Sequence, residues 1–425
     1  MTKTRPLPPA PSMRNHSNFR EVVPKVPTLD LPLDFVCGAR LFHLDLLRGL
    51  AILLVLYGHV MTRMPQNTFA AGFLFILRQS ALIGVDLFLV LSGFFTAGYL
   101  FAEYRDTGCI SYGRFFVRRA VKLYPSYLLA IGIMFVWQVV RAHHGTPLQR
   151  VVGGLRDIWV YLAHIQNYLA PRSELFIQAW TISLVIQFYV AFSLLLLVLI
   201  RLSGSGAANP FRAVPWIFAA SIPICLFLRY RVANESTRLD PWIHRFPLHL
   251  RIDELLAGVW LAYLVVFARP ALERLARFWP ALFLASIGMM LPAALRAQEA
   301  PRFLDVWGFT LAGFGCAGLV LLAWAIGRAG TAKVDARRSL PYRMLAGIGV
   351  CSYSIYLWHL PLGPWLGTRV GNRLCGALHL WGSPLQYWVM VGVYFGVAMG
   401  ISLAGYFLVE KPARFLHRTA KKTNQ

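Results

Sequence analysis

Ten long apolar stretches dominate the 425-residue chain and restrict what it can fold into. A helix that crosses a membrane needs about 20 mostly apolar residues, and it pairs its own backbone groups where water is absent. The stretches cover residues 44–63, 81–101, 124–141, 180–200, 213–230, 253–268, 280–297, 306–327, 343–366 and 386–409. With 57% hydrophobic and 14% charged residues, the chain is also more apolar than soluble domains. We therefore predict an all-α polytopic membrane bundle of about ten transmembrane helices.

The position of these stretches divides the chain into three segments. Residues 44–416 form the predicted membrane domain, in which the connecting loops are too short for a further soluble domain. Residues 1–43 are rich in proline and charge and lack an apolar core, so we expect a flexible cytoplasmic tail instead of a cleaved signal peptide. Residues 417–425 are expected to be a short basic cytoplasmic tail.

The net charge of +24 is distributed as in a membrane protein. An even number of spans places both termini on one side, and that side holds 26 lysines and arginines against 15 in the opposite loops. Cytoplasmic loops carry the excess of basic residues, so both termini are predicted to be cytoplasmic. No basic run interleaved with aromatic residues stands out, and the charge therefore does not indicate nucleic-acid binding.

The first stretch, "LDLLRGLAILLVLYGHV", takes charged residues into the membrane. Arg48 and His59 are eleven residues apart, which is three helical turns plus about 20°, so they share one face about 16 Å apart along the axis. Asp45 lies on or near that face. Because ionisable groups inside a membrane usually line a cavity, we predict a polar shaft with a basic entrance at Arg48 and an imidazole beyond it. The alternative is that Arg48 reaches the membrane surface and His59 only bonds a neighbouring helix.

Two further stretches carry polar groups. In "GVDLFLVLSGFF", Asp86 needs a buried partner, for which Arg48 or His59 is expected, although a purely structural ion pair is the alternative. In "RFFVRRAVKLYP", four basic residues occupy mostly one helical flank: Arg114, Arg118, Arg119 and Lys122. That pattern is typical of an anionic-lipid anchor, and it also suits a multiply phosphorylated ligand.

These motifs recur together in one known family. "LDLLRGLAILLVLYGHV", "GVDLFLVLSGFF", "RFFVRRAVKLYP", "RIDELLAGVWLAYL", "SYSIYLWHLPL" and "YFLVEKPARFL" stand in the order and spacing of the acyltransferase family 3 integral membrane enzymes, which residues 44–416 resemble. Those enzymes move an acyl group, usually acetyl, from cytoplasmic acyl-CoA to a hydroxyl of a sugar or other acceptor. The resemblance implies acyl-CoA, most simply acetyl-CoA, as a co-substrate, with no bound cofactor or metal.

The resemblance also assigns residues. Arg48 and His59 match an Arg-x10-His pair that the family needs for activity, and with Asp86 they are the implied catalytic residues. Arg118, Arg119 and Lys122, with Arg114 beside them, match a basic cytoplasmic cluster that looks like the site of the CoA phosphates. Supporting positions are Asp45, Ser92, Trp180, Ser183, Tyr189, Asp253, Glu254, His359 and Glu410. From its aromatic neighbours alone, His359 is interpreted as a structural hydrogen-bonding residue.

Two departures from the family pattern affect the site. Lys122 stands where arginine is normal, which keeps the charge but loses the bidentate fork. In "WTISLVIQFY", Val185 and Ile186 occupy places where one or two glutamates are usual. Either the acid is not essential here or the chemistry is altered, and Asp86 or Glu254 is the expected substitute for orienting the imidazole.

The function predicted is acyl transfer in a bacterial inner membrane, to a carbohydrate, lipopolysaccharide or exopolysaccharide hydroxyl. His59 would act as general base or as a covalent acyl carrier. A small secondary metabolite is an alternative acceptor. A transporter or flippase using the same shaft, and an inactive membrane scaffold, are the alternatives from other classes.

Overall fold

The computed structural model describes residues 42–60, 62–64, 69–141, 147–169, 174–204, 209–235, 240–296, 301–329, 339–360 and 363–415. Within these ranges the backbone forms helices joined by turns, and no β-strand occurs. The predicted all-α class is therefore confirmed. Apart from residues 42 and 43, both predicted tails lie outside the described residues.

The helices follow one another with short connections. In the first half they are α1 (Phe42–Gly58), α2 (Phe69–Gln79), α3 (Ala81–Thr107), α4 (Tyr112–Arg141), α5 (Pro147–Leu162), α6 (Trp180–Ser203) and α7 (Val214–Glu235). In the second half they are α8 (Pro241–His244), α9 (Ile252–Phe267), α10 (Arg269–Ala276), α11 (Trp279–Arg296), α12 (Pro301–Phe303), α13 (Phe309–Ala329), α14 (Leu340–Val350), α15 (Ser352–Trp358), α16 (Gly363–Ala377) and α17 (Pro384–Gly405). Tight 3₁₀ turns occupy Glu174–Ala179 and Leu248–Leu250, and wider π turns occupy Leu304–Gly308 and Tyr406–Glu410.

Several of these helices are long and apolar enough to cross a membrane. Among the described residues there are six such segments: Ala71–Thr107, Tyr112–Trp137, Phe176–Ser203, Val214–Glu235, Leu304–Gly327 and Pro384–Phe415. The pair α9 and α10, bent by 111°, would be a seventh if it forms one broken span. The chain is thus a membrane protein with six or seven candidate spans, and the number of about ten stays a prediction.

The predicted span at 343–366 is wrong as a single helix. Helix α14 ends at Val350, because the backbone of Cys351 leaves the helical region (φ −88°, ψ 3°), and α15 starts anew at Ser352. Helix α2 was not predicted either. The first error arises because apolar length reports composition, whereas a break depends on the local backbone. The second arises because α2, at 11 residues, is shorter than the length that the prediction used.

Helix α3 lies at the centre and packs against α1, α9 and α13. Glycines allow the closest approaches, since a Cβ at Gly93 would meet the backbone carbonyl of Leu255 on α9. In the same way, a Cβ at Gly349 of α14 would meet the carbonyl of Asp45 on α1. Small residues where two membrane helices cross allow their backbones to come into direct contact. Here they bring α3 against α9 and α14 against α1.

Candidate active site

A cavity of about 150 Å³ lies between α1, α3, α4, α6 and the α14–α15 pair. Along α3 its lining residues run from Val85 to Phe95, a rise of about 15 Å at 1.5 Å per residue. The space is therefore elongated along the helices. Its described lining residues include the cations Arg48, Arg119 and Lys122 and no carboxylate.

Arg48 is held at the cavity wall by two contacts. Its Nη1 donates to Asp45 Oδ1 at 3.1 Å, and its guanidinium carbon lies 4.2 Å from the centre of the Phe95 ring. Asp45, which was predicted to lie on or near the face of Arg48, is thus its hydrogen-bond partner. Because one carboxylate and one ring cannot occupy all five guanidinium donors, Arg48 retains N–H groups that a ligand in the cavity can use.

The basic residues of α4 separate into two groups. Arg119 and Lys122 line the cavity, where Arg119 also lies 5.0 Å from the ring centre of Tyr189. Arg118 instead donates to the hydroxyl of Tyr99 at 2.8 Å, and exposed Arg114 is 3.6 Å from Glu103. The structure therefore brings two of the four predicted CoA-binding cations to Arg48 and leaves the other two away from the cavity.

Beyond the opposite end of the cavity, two imidazoles meet. The rings of His59 and His359 are 5.0 Å apart between centroids, at an interplanar angle of 68°. His59 Nδ1 lies 2.7 Å from the Val55 carbonyl, and His359 Nδ1 lies 2.7 Å from the Tyr356 carbonyl. A carbonyl only accepts, so in each neutral ring Nδ1 carries the proton and Nε2 carries the lone pair. Both rings thus present a basic Nε2.

Tyr356 connects the cavity to the two imidazoles. It lines the cavity, and its ring centroid is 5.6 Å from that of His359. Its hydroxyl accepts from Thr181 at 2.8 Å and donates to the Gln178 carbonyl at 3.0 Å. The cavity that holds the cations is therefore bounded by Tyr356, whose ring contacts His359, and His359 in turn contacts His59.

The segment "WTISLVIQFY" forms the start of α6 and one side of the cavity. Val185 and Tyr189 line it, so the place where a family glutamate is expected presents a valine. Ile186 packs instead on a separate apolar cluster with Tyr127 and Leu357. Trp180 stacks on Phe246 with centroids 4.3 Å apart, and Ser183 is fully buried.

Asp86 has a different partner from the one expected. It accepts a very short bond from Arg251, and not from Arg48 or His59. Arg251 also binds both carboxylate oxygens of Glu254, at 2.6 and 2.9 Å. Asp86 and Glu254 are thus committed to one guanidinium and do not orient the His59 imidazole, which the Val55 carbonyl holds.

A second guanidinium extends this buried ion network. Arg229 donates to Asp253 Oδ1 at 2.6 Å and to the hydroxyl of Thr310 at 2.7 Å, and Thr310 in turn donates to the other oxygen of Asp253. Arg229 also lies 3.9 Å from Glu254. The network therefore joins α3, α7, α9 and α13, and it explains why α9 begins with two acids.

Two further predicted residues are Ser92 and Glu410. Ser92 lines the cavity. Glu410 lies in the π turn that follows α17 and accepts from Arg414 at 2.7 Å, close enough to Lys122 for an electrostatic interaction. Sequence reasoning missed Tyr356, Thr181 and Arg251. A signal existed for Tyr356, because it stands three residues before His359 and so shares its helical face.

Comparison with known proteins identifies the family of the chain. Residues 42–407 match the domain family Acyl_transf_3, described as an acyltransferase domain. The chain belongs to acyltransferase family 3. Since the match takes in α1, the cavity, both imidazoles and the ion network, all of these are parts of the family domain.

Individual relatives agree with that assignment. A Komagataeibacter xylinus protein named "Putative membrane-bound transacylase BcsY" is 26% identical over 424 residues, which is 97% of this chain and 89% of its own length. The O-acetyltransferase OatA of Staphylococcus aureus is 22% identical over 332 residues, covering 75% of this chain and 50% of its own. No solved structure matches the chain. The protein is thus a membrane-embedded acyltransferase of this family.

Proposed function

We propose that the protein transfers an acyl group, acetyl in the simplest case, from acyl-CoA to a hydroxyl of a carbohydrate or glycolipid acceptor. The observation that carries this proposal is the cavity, which has three cations among its described lining residues and leads through Tyr356 and His359 to His59. Phosphates of CoA are anions that guanidinium and ammonium groups bind. An elongated space of this kind suits the pantetheine arm that follows them.

His59 is assigned the role of general base. With its Nδ1 proton bonded to the Val55 carbonyl, its Nε2 lone pair can take the proton of the acceptor hydroxyl as that oxygen attacks the thioester carbon. The C–S bond then breaks and CoA leaves as a thiolate. The same carbonyl fixes the tautomer without a carboxylate, so valine at position 185 is compatible with this chemistry.

The acceptor and the setting rest on the relatives and on charge. One relative is named as an O-acetyltransferase, which agrees with a hydroxyl acceptor. The excess of basic residues on the side of both termini supports cytoplasmic ends. The relatives are bacterial proteins, which agrees with a bacterial inner membrane. Acyl-CoA would then enter from the Arg48 side, and an exported polysaccharide or lipopolysaccharide would meet His59 on the opposite side.

The test uses purified full-length protein in lipid nanodiscs. Acetyl-CoA labelled in the acetyl group is supplied with a glycan and glycolipid extract of the producing cells, for the wild type and His59→Ala. His379→Asn is the matched control, because this histidine is exposed and in the left-handed backbone region, which asparagine tolerates. We expect label on carbohydrate from the wild type and the control, and none from His59→Ala.

Other outcomes would exclude the proposal. CoA release that survives His59→Ala would remove the imidazole from the mechanism. CoA binding without turnover would identify an inactive scaffold, and label on a small metabolite would change the acceptor class. Acid-quenched single turnovers, mapped by mass spectrometry, separate the two roles of His59, since only an acyl carrier leaves acetyl on that ring.

A further inference from the structure

We propose that His359 is a second imidazole of the active site, which relays the proton from His59 to the leaving CoA sulfur. This inference rests on the proposed function, because it assigns a role within the same acyl transfer. His359 is completely buried, and its Nε2 has no hydrogen-bond partner within the described part of the chain. Leaving a buried polar atom unpaired costs about 1–3 kcal/mol, so such an atom calls for an explanation.

An unpaired Nε2 alone would not carry the inference. His244 shows the same pattern, with Nδ1 2.8 Å from the Asp240 carbonyl and a buried Nε2 that lacks a partner among the described residues. His359 differs from His244 in what surrounds it. Its ring lies against the imidazole of His59 on one side and against Tyr356, a cavity-lining residue, on the other.

The position of His359 gives the relay a direction. His59 is not among the lining residues of the cavity, whereas Tyr356 is. A thioester delivered through the cavity therefore reaches the Tyr356 and His359 end first, with the acceptor hydroxyl on the His59 side. His359 therefore lies near the sulfur, which must gain a proton, and His59 lies near the oxygen, which must lose one.

The step balances as follows. His59 Nε2 takes the proton of the acceptor hydroxyl while the new O–C bond forms and the C–S bond breaks. The proton then passes from His59 Nε2 to the lone pair of His359 Nε2, and from there to the CoA thiolate, which leaves as the thiol. Both imidazoles end neutral, each with its Nδ1–H still donating to the carbonyl of Val55 or Tyr356, and no other reactant is needed.

Few charged groups compete with this exchange. Arg78 is the charged residue that interacts electrostatically with His59. Tyr57, two residues before His59, forms a hydrogen bond with the hydroxyl of Tyr387. Around His359, the neighbouring groups are Tyr356 and His59 themselves. In the described residues no carboxylate forms a salt bridge with either imidazole. The second imidazole is therefore the ring that the described structure places against His59. Its Nε2 is not hydrogen-bonded to His59 in this structure, so the two rings must approach each other for the proton to pass.

The variant that tests the relay is His359→Asn. The asparagine amide can stand where Nδ1–H stands and keep the bond to the Tyr356 carbonyl, but it cannot accept and release a proton. His244→Asn makes the same change at the control histidine. In nanodiscs, with acetyl-CoA and methyl β-D-glucopyranoside as probe substrates, we expect His359→Asn to lower kcat by about 100-fold. Both KM values should stay within about twofold, and His244→Asn should match the wild type.

Two readouts separate a relay from a structural role. Added imidazole should restore part of the rate of His359→Asn, because a free base beside His59 can carry the one proton that moves. The restored rate should change with the pKa of the imidazole derivative that is added, whereas the rate of His244→Asn should not respond to it. Unchanged kcat in His359→Asn, or a lost rate that no imidazole restores, would overturn the relay.

The outcomes also distinguish the relay from the function on which it rests. A wild type without acyl transfer refutes both, whereas an active wild type with a fully active His359→Asn refutes only the relay. If His359→Asn aggregates, His359→Gln is measured with the same two readouts, since its amide also cannot accept and release a proton.

Discussion

Removing the guanidinium of Arg251 tests whether Asp86 has a structural role, as the ion network indicates, or a catalytic one. In Arg251→Met, Asp86 and Glu254 lose the bonds that Arg251 makes to them, while both carboxylates stay buried. Removal of one partner from a buried ion pair costs about 3–5 kcal/mol, because the remaining charge is uncompensated. Arg229 compensates little, since its contact with Glu254 is 3.9 Å long and its short bonds go elsewhere. We therefore expect a loss of about 3–5 kcal/mol in the free energy of unfolding.

The matched control is Arg231→Met. Arg231 forms an ion pair of 2.7 Å with Glu235, but both side chains are more than half exposed, at 60% and 63%. Exposed pairs contribute about 0–1 kcal/mol, so this variant should unfold almost as the wild type does. The assay is reversible unfolding by sodium dodecyl sulfate in mixed micelles without substrate, followed by tryptophan fluorescence. An Arg251→Met protein no less stable than Arg231→Met would refute the reasoning and return Asp86 to the list of catalytic candidates.

Three further predictions follow from the fold and the cavity. Lys122→Gln should raise the KM for acetyl-CoA about 10- to 100-fold, since a hydrogen bond to a charged group contributes about 1.5–3 kcal/mol. Initial rates measure this KM, and equal KM values in Lys122→Gln and the control Arg114→Gln would contradict the prediction. Gly93→Ala should lower the unfolding free energy by about 1–3 kcal/mol because its methyl group meets the α9 backbone, whereas Gly132→Ala, with open space around it, should not. Burial lowers the pKa of His164, between α5 and α6, to about 4. Between pH 6.5 and 4 the unfolded chain binds a proton that the folded one does not, so the thermal midpoint should decrease as the pH is lowered, and it should decrease less in His164→Asn. Parallel pH profiles of the two proteins would show that another group is responsible.

The helices were largely predictable because the membrane imposes a length. Apolar stretches near 20 residues at 81–101, 180–200 and 306–327 correspond to α3, α6 and α13. The stretch at 343–366 has the same composition, yet it divides at Cys351. Hydropathy counts apolar residues and does not register where the backbone of a single residue leaves the helical region, as that of Cys351 does.

The residues of the site were predictable where they share one helix. Asp45 and Arg48 are three residues apart, so helical geometry alone places them in contact, as the structure shows. The partner of Asp86 was not predictable, because Arg251 is 165 residues away and lies just before a different helix. His59 and His359 likewise meet only through the packing of α1 against α15. A residue's type shows that it needs a partner, but the tertiary fold selects which one.

The central claim, that the cavity delivers an acyl-CoA thioester to the paired imidazoles, can be tested by photolabelling. An acyl-CoA with a diazirine on a short acyl chain is irradiated with the full-length protein in nanodiscs, and the labelled peptides are mapped by mass spectrometry. The account predicts label on the residues at the Tyr356 end of the cavity, such as Val85 and Thr181, and its loss when excess CoA is present. Label confined to lipid-facing helix surfaces, or unaffected by excess CoA, would contradict it.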